Sequence, residues 1–462
     1  MLIRYTVGNF LSFNEPQEFS MISGKGTSKS DRLYKDKKVS LLKIAAIFGA
    51  NASGKSNLID SMKFAQLFIV KEIPIQVVNR YCKLYKENKA IPSTFEFEIK
   101  IDKKYYAYGF KIIVNKMSIV EEWLYEIGSK EIKIFERSVK NKEINFGECF
   151  DKDILTKLQT YADSMASSDT ILFLTEMNRN KGDLYKNHPK VKFLEDIYKW
   201  FEENLKINYP NEPISHYSYL MDEKNKDEIY TLISSLGLGI KNCQIVNENI
   251  EYLENYMPKG LLKDLFEDLE KNKVKKQKSN KPKEETEIML RGGSHLFFIK
   301  YSPEKERYIV QKLQFEHEKE GIWFDLNEES DGTRRMLDLI ELIIAAKYGS
   351  KSIYVIDEID RSLHPQLTYK LIESYLRLVD KSELQLIFTT HESHILDLKL
   401  LRRDEIWFVN KNQDGESSLY SLEQYNERFD KKISKAYLDG RYGAVPLFDE
   451  IFPMKEKMNE SL

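Results

Sequence analysis

Cysteine is scarce in this chain: three in 462 residues. Cys82, Cys149 and Cys243 are far apart, odd in number and never in a CxxC pair. That excludes a disulfide framework and a structural zinc site, and it fits a reducing cytoplasm. Net charge is nearly absent too. Lysine and arginine number 71 against 73 aspartates and glutamates, a balance of -2. The chain as a whole is therefore no basic nucleic-acid binder, although a local basic patch stays open. Long apolar runs are missing. The best, Leu41 to Ala50 and Leu339 to Ala346, fall short of the ~18 residues of a membrane span, and Glu341 interrupts the second. The start, Met1-Leu2-Ile3-Arg4-Tyr5-Thr6, reads as a strand rather than a signal peptide. No internal repeat is visible.

What is present is a balanced globular composition, 42% hydrophobic and 31% charged. It suffices for one large domain or two ordinary ones without disulfides. Three regions follow from its patterning. Residues 1–150 open with a strand and a polar stretch from Ser23 to Lys38, read as a mobile loop. Leu41 to Phe48 is a continuous apolar run, as in a strand buried on both faces, and Asn57 to Val70 reads as a helix. Thr94 to Tyr125 alternates strictly at Phe95-Glu96-Phe97-Glu98-Ile99, which predicts an antiparallel meander. Residues 151–285 have a helical composition and end in a basic run, Lys271 to Lys283, read as a disordered loop. Residues 286–462 resume with strands at His295 to Tyr301 and Tyr308 to Phe315. Ile353 to Ile356, Leu384 to Thr389 and Glu405 to Val409 then alternate with helical stretches, the pattern of a parallel sheet covered by helices. The fold class expected is therefore α/β.

Between the first buried strand and its helix lies Gly49-Ala50-Asn51-Ala52-Ser53-Gly54-Lys55-Ser56. This is GxxxxGK[ST] in its required strand–loop–helix setting. Backbone N–H groups of such a loop, with the helix N-terminus, surround phosphates. Lys55 would neutralise the β- and γ-phosphates of ATP, and Ser56 would ligate Mg²⁺ through its hydroxyl. Ile353-Tyr354-Val355-Ile356 ends in Asp357 and Glu358. The carboxyl end of a parallel strand is where α/β proteins hold ligands. Asp357 would hold Mg²⁺ and Glu358 would polarise the attacking water. His391 follows a third strand and is placed to meet the γ-phosphate or that water. Phe10 and Phe13 are candidates to approach the adenine, with core packing the better expectation.

The order of these motifs resembles the ABC ATPase superfamily. A signature-like Ser330-Asp331-Gly332-Thr333 precedes the acids, a D-loop-like Asp360-Arg361-Ser362-Leu363-His364 follows them, and His391 closes the set. The resemblance implies a P-loop NTPase with an ABC-type head, an antiparallel β subdomain and a helical insertion. Asn51, Ser53 and Asn57 within GANASGKSN are similar to the heads of SMC, RecF and OLD proteins rather than to transporter subunits. The family closes the signature of one subunit on the γ-phosphate of another. Ser330, Gly332 and Thr333 would then act in trans, and Asp360, Ser362 and His364 would lie across a homodimer interface. Arg402 to Val409 and Tyr437 to Pro446 resemble a group of ATPases from bacterial phage-defence and abortive-infection systems, including the PARIS ATPase subunit and the RloA-like and AbiL-like proteins.

That resemblance implies an ATP-hydrolysing sensor or scaffold, slow in turnover, that controls an effector and answers to a phage trigger protein or DNA. The 71 residues after His391 lack an acid constellation with room for a Toprim nuclease, so a nuclease or toxin is expected on a separate chain. The competing expectation is a RecF- or SMC-like DNA-repair ATPase whose basic run touches DNA phosphates.

Overall fold

A computed structural model of the chain describes residues 1–26, 28–36, 38–71, 79–165, 167–211, 214, 219, 226–267, 287–292, 295–302, 307–379, 382–425 and 433–438. The basic run Lys271 to Lys283 and most of the Tyr437 to Pro446 motif lie outside these residues. The chain divides into two units. One comprises Met1–Glu212, Ala345–Asp360 and Pro365–Leu462, the other Pro213–Ile344 and Arg361–His364.

The first unit is built on a six-stranded sheet. Its order is Leu205–Asn208, Ile353–Ile356, Gln385–Thr389, Ile44–Phe48, Ile406–Lys411 and Ser417–Ser421. The first five strands are mutually parallel and the last is antiparallel. All five residues of Ile44–Phe48 are buried, as an apolar run flanked on both sides requires. The helix Lys55–Val70 packs its face of Leu58, Ile59, Met62, Ala65 and Ile69 into the main core.

A seven-stranded antiparallel sheet shares that core, with Leu2–Gly8 between Ser93–Ile101 and Gln17–Ser20. In Ser93–Ile101 the residues Phe95, Phe97 and Ile99 are buried and Glu96 and Glu98 half-buried, the alternation read from the sequence. Phe10 and Phe13 belong to this core. Both are fully buried, and Phe10 sits 5.0 Å from Phe64 and 5.2 Å from Phe95 between ring centroids. Where Phe135 and Phe146 pack on Phe173, a buried ion pair pins the chain. Arg137 and Glu122 are both inaccessible and 3.4 Å apart. Glu122 also accepts the Phe173 and Leu174 N–H groups and the Tyr108 hydroxyl.

The second unit carries an antiparallel sheet in the order Asn242–Glu248, Arg307–Glu316, His295–Ser302 and Glu287–Gly292, with Trp323–Asp325 also paired to Arg307–Glu316.

Two expectations need correction. The region 151–285 is not purely helical. Leu205–Asn208 completes the parallel sheet and Asn242–Glu248 the antiparallel one. Both are edge strands, four and seven residues long. An alternation of four residues, or a largely polar seven such as Asn242–Glu248, does not stand out from a helical composition. The described residues of the stretch Ser23 to Lys38 are also tied down rather than mobile. Arg402 donates to the carbonyls of Gly26 and Ser28, Arg32 to that of Leu400, and Asp404 accepts the Gly24 N–H. The chemistry of Arg402 to Glu405 is thus structural in this unit.

Glu405, beneath these contacts, is almost wholly buried. Burial pushes its carboxyl from the ordinary 4.5 up to about 7, while the Arg402 N–H and guanidinium act to lower it. The folded state therefore holds a proton between pH 4.5 and 7 that the unfolded chain has released. Stability from this group is complete below pH 4.5 and declines as pH rises towards 7. The expected result is a melting temperature that falls across that window, with the contribution flattened in Glu405→Gln; differential scanning calorimetry of both proteins checks it. Among the described residues no disulfide joins the three cysteines, and no helix is long and apolar enough to cross a membrane.

Candidate active site

Three neighbouring parallel strands end at one place. Ile44–Phe48 leads into the phosphate loop, Ile353–Ile356 into Asp357 and Glu358, and Gln385–Thr389 into Thr390 and His391. Because the strands run parallel in adjacent register, their carboxyl ends bring these side chains together. The loop 49–54 is followed directly by the helix that starts at Lys55. Ala52 and Gly54 have left-handed φ of 62° and 114°, the bend that lets successive N–H groups face one point.

Lys55 is buried and donates to the carbonyls of Gly49 (2.7 Å) and Ala50 (2.9 Å). Its Nζ stands 3.4 Å from His391 Nδ1. With the ammonium donating, Nδ1 accepts and the ring proton sits on Nε2. Burial lowers the Lys55 ammonium from 10.5 to about 8, while Asp357, Glu358 and Asp360 raise it. Desolvation, then Lys55, push the His391 imidazole below its ordinary value, and Asp360, Glu358 and Asp357 act in the opposite direction.

Asp357 is buried and its Oδ1 accepts the Thr389 hydroxyl at 2.5 Å. The same hydroxyl oxygen accepts the Glu358 N–H at 2.8 Å. Thr389 therefore orients both acids from the intervening strand. Glu358 has φ 48°, a sparsely populated conformation for a residue with a Cβ, and that N–H bond holds it there. Asp360 accepts the His391 backbone N–H at 3.4 Å, so it contacts its own chain's histidine. Asn51, Ala52 and Ser56 are exposed along the loop, Ser53 is buried and Asn57 half-buried.

The other expected residues lie in the second unit. Ser330 accepts the Thr333 N–H (3.0 Å), which caps the helix Asp331–Tyr348. Its hydroxyl also pairs with that of Thr333 at 2.8 Å. A Cβ on Gly332 would stand 2.9 Å from the Ser362 carbonyl, so signature and D-loop residues interlock within this unit. Ser362 has φ 61°, and Pro365 opens the next helix just after His364.

Three residues at the loop were not singled out by sequence reasoning, and a fourth, Tyr437, was read only as the start of the C-terminal motif. Thr389 lies in a recognised strand, and its position beside His391 was the available signal. Ser12 and Ser417 pack behind Gly54. Tyr437 stacks on Phe408 at 5.7 Å and meets the Gly49 N–H; burial pushes its phenol up to about 12, and that N–H acts to lower it.

The donor set suits a hard cation beside a phosphate. Ser56 offers a hydroxyl and Asp357 a carboxylate, both oxygen ligands, and Mg²⁺ on a nucleotide takes few ligands from protein. Lys55 yields a pH test. Anionic phosphate favours the ammonium, so binding above pH 8 must first protonate it. ATP affinity is expected to be flat below pH 8 and to fall above it, approaching about tenfold per pH unit. Calorimetric titrations from pH 6.5 to 9.5 check this.

The fold and the site define a P-loop NTPase domain of mixed α/β type. The chain belongs to the family described as "AAA domain, putative AbiEii toxin, Type IV TA system", which matches residues 44–397. No curated protein matches it. Among solved structures it is similar to the SmcHead bound to the C-winged helix domain of ScpA, at 14% identity and TM-score 0.40, covering 91% of this chain and 97% of that one. The SMC head domain from Thermotoga maritima gives 13% identity and TM-score 0.36, covering 91% and 98%.

Proposed function

We propose that this protein is an ATP-hydrolysing ABC/SMC-like ATPase that works as a homodimer and controls a separate nuclease or toxin in anti-phage defence. The observation that carries the ATPase reading is the gathering of Lys55, Asp357, Glu358 and His391 at the ends of adjacent parallel strands. In this reading the loop 49–57 binds the phosphates, and Ser56 and Asp357 hold Mg²⁺. When bound, Mg²⁺ offsets charge on the β- and γ-phosphate oxygens. Glu358 takes a proton from the attacking water, and His391, donating from Nε2, steadies the γ-phosphate. Ser330, Gly332 and Thr333 of a second subunit complete the pocket, with Asp360, Ser362 and His364 near the joint. The defence reading is supported by the family description, which names a toxin and a toxin–antitoxin system, and by the C-terminal motifs.

The test is to purify the tagged protein from cells carrying its neighbouring genes and identify bound chains by mass spectrometry. A stoichiometric nuclease or toxin is the expected result. A protein that comes down alone, or with DNA, contradicts the effector reading and favours a repair-type ATPase.

A further inference from the structure

Behind the phosphate loop runs a chain of hydrogen bonds from three distant parts of the sequence. Asn57 Nδ2 donates to Ser12 Oγ at 2.7 Å. Ser12 Oγ and Ser417 Oγ are 2.7 Å apart, and Ser417 Oγ lies 2.6 Å from the Ser53 carbonyl. A hydroxyl has one proton, so only one ordering satisfies every link. The amide donates to Ser12, Ser12 to Ser417, and Ser417 to the carbonyl of Ser53. Both serines are buried, and the Ser417 N–H is separately anchored on the Ser12 carbonyl at 2.8 Å.

The end of that chain matters because a trans peptide is planar, with C=O and N–H on opposite sides. Drawing the Ser53 carbonyl towards Ser417 turns the Gly54 N–H the other way, out of the buried face of the loop. Gly54 has room for nothing more there. At φ 114° a Cβ would stand 2.4 Å from Ser417 Oγ and 2.8 Å from Ser12 Oγ. We propose that Ser417, through Ser12 and Asn57, is a positioning residue that fixes the Ser53–Gly54 peptide with its N–H ready for a nucleotide phosphate. This rests on the ATP-binding reading above. Without the relay the buried Ser53 carbonyl loses its donor, and the peptide gains an alternative orientation that satisfies it from the other side.

The experiment uses the full-length protein and Mg²⁺-ATP. Affinity is measured by calorimetry, turnover at saturating ATP by phosphate release, and amide exchange over residues 49–58 without nucleotide. Ser417→Ala is expected to weaken ATP binding by about five- to a hundredfold, the range for a stranded buried carbonyl. Saturating turnover should stay within about twofold, because the relay acts on binding rather than on the attacking water. Exchange at the loop should be faster. Ser417→Thr keeps the hydroxyl and should restore both affinity and slow exchange. Ser12→Ala leaves the Ser417–Ser53 bond intact, so its loss should be smaller, and it serves if Ser417→Ala does not fold. Unchanged affinity and exchange in Ser417→Ala, or a threonine variant as impaired as the alanine one, would overturn the proposal. Wild-type protein that fails to bind ATP would instead defeat the functional reading, with the exchange comparison still deciding the relay.

Discussion

Glu358→Gln is expected to lower ATP turnover by about a hundredfold or more, the scale of removing a general base, while ATP affinity changes by less than about threefold. The asymmetry follows from the position of the side chain. In the proposed function Lys55 and the loop N–H groups bind the phosphates, whereas Glu358 sits half-buried at the end of Ile353–Ile356. Its strained φ of 48° is held by a backbone bond to Thr389, which glutamine keeps. The amide is isosteric with the carboxylate but takes no proton from water. The variant should therefore accumulate in the ATP-bound dimer. Equilibrium binding and single-turnover kinetics separate the two effects, and loss of binding in this variant would count against the assigned role.

Glu122→Ala should destabilise the first unit by about 3–5 kcal/mol, since it leaves the charge of Arg137 buried without its partner. Neither side chain is accessible. The carboxylate also serves the N–H groups of Phe173 (2.6 Å) and Leu174 (3.0 Å), which start the helix Phe173–Met177. Arg137 in turn donates to the carbonyls of Met165, Ser168 and Ile171. One substitution thus unties the antiparallel sheet from residues 165–174. Urea unfolding should show a lower midpoint, with Glu122→Gln losing less because it still accepts one N–H. A change under about 0.5 kcal/mol would mean the pair is not a fastening point.

How much was legible beforehand depends on sequence distance. Lys55, Asp357 and His391 each stand just past an apolar run, so local pattern located them, and parallel pairing then brought them together. The buried alternation of Phe95, Phe97 and Ile99 was equally local. Ser12 and Ser417 were not legible, because single serines carry no pattern and these two meet across the whole chain. The Ser23 to Lys38 stretch read as mobile for the same reason, its anchors lying at Leu400 and Arg402. Leu205–Asn208 was missed because its alternation, Leu205 and Ile207 against Lys206 and Asn208, lasts only four residues inside a region of helical composition. Nothing local singled out Glu122 and Arg137, because their partners at Met165 to Leu174 lie far along the chain.

The measurement that tests the central claim most directly is steady-state phosphate release from Mg²⁺-ATP as a function of protein concentration, with Lys55→Ala as the control. A site completed by a second subunit predicts specific activity that rises with concentration and then saturates, and none in the control. Phosphate release absent at every concentration, or unaffected by Lys55→Ala, would contradict it.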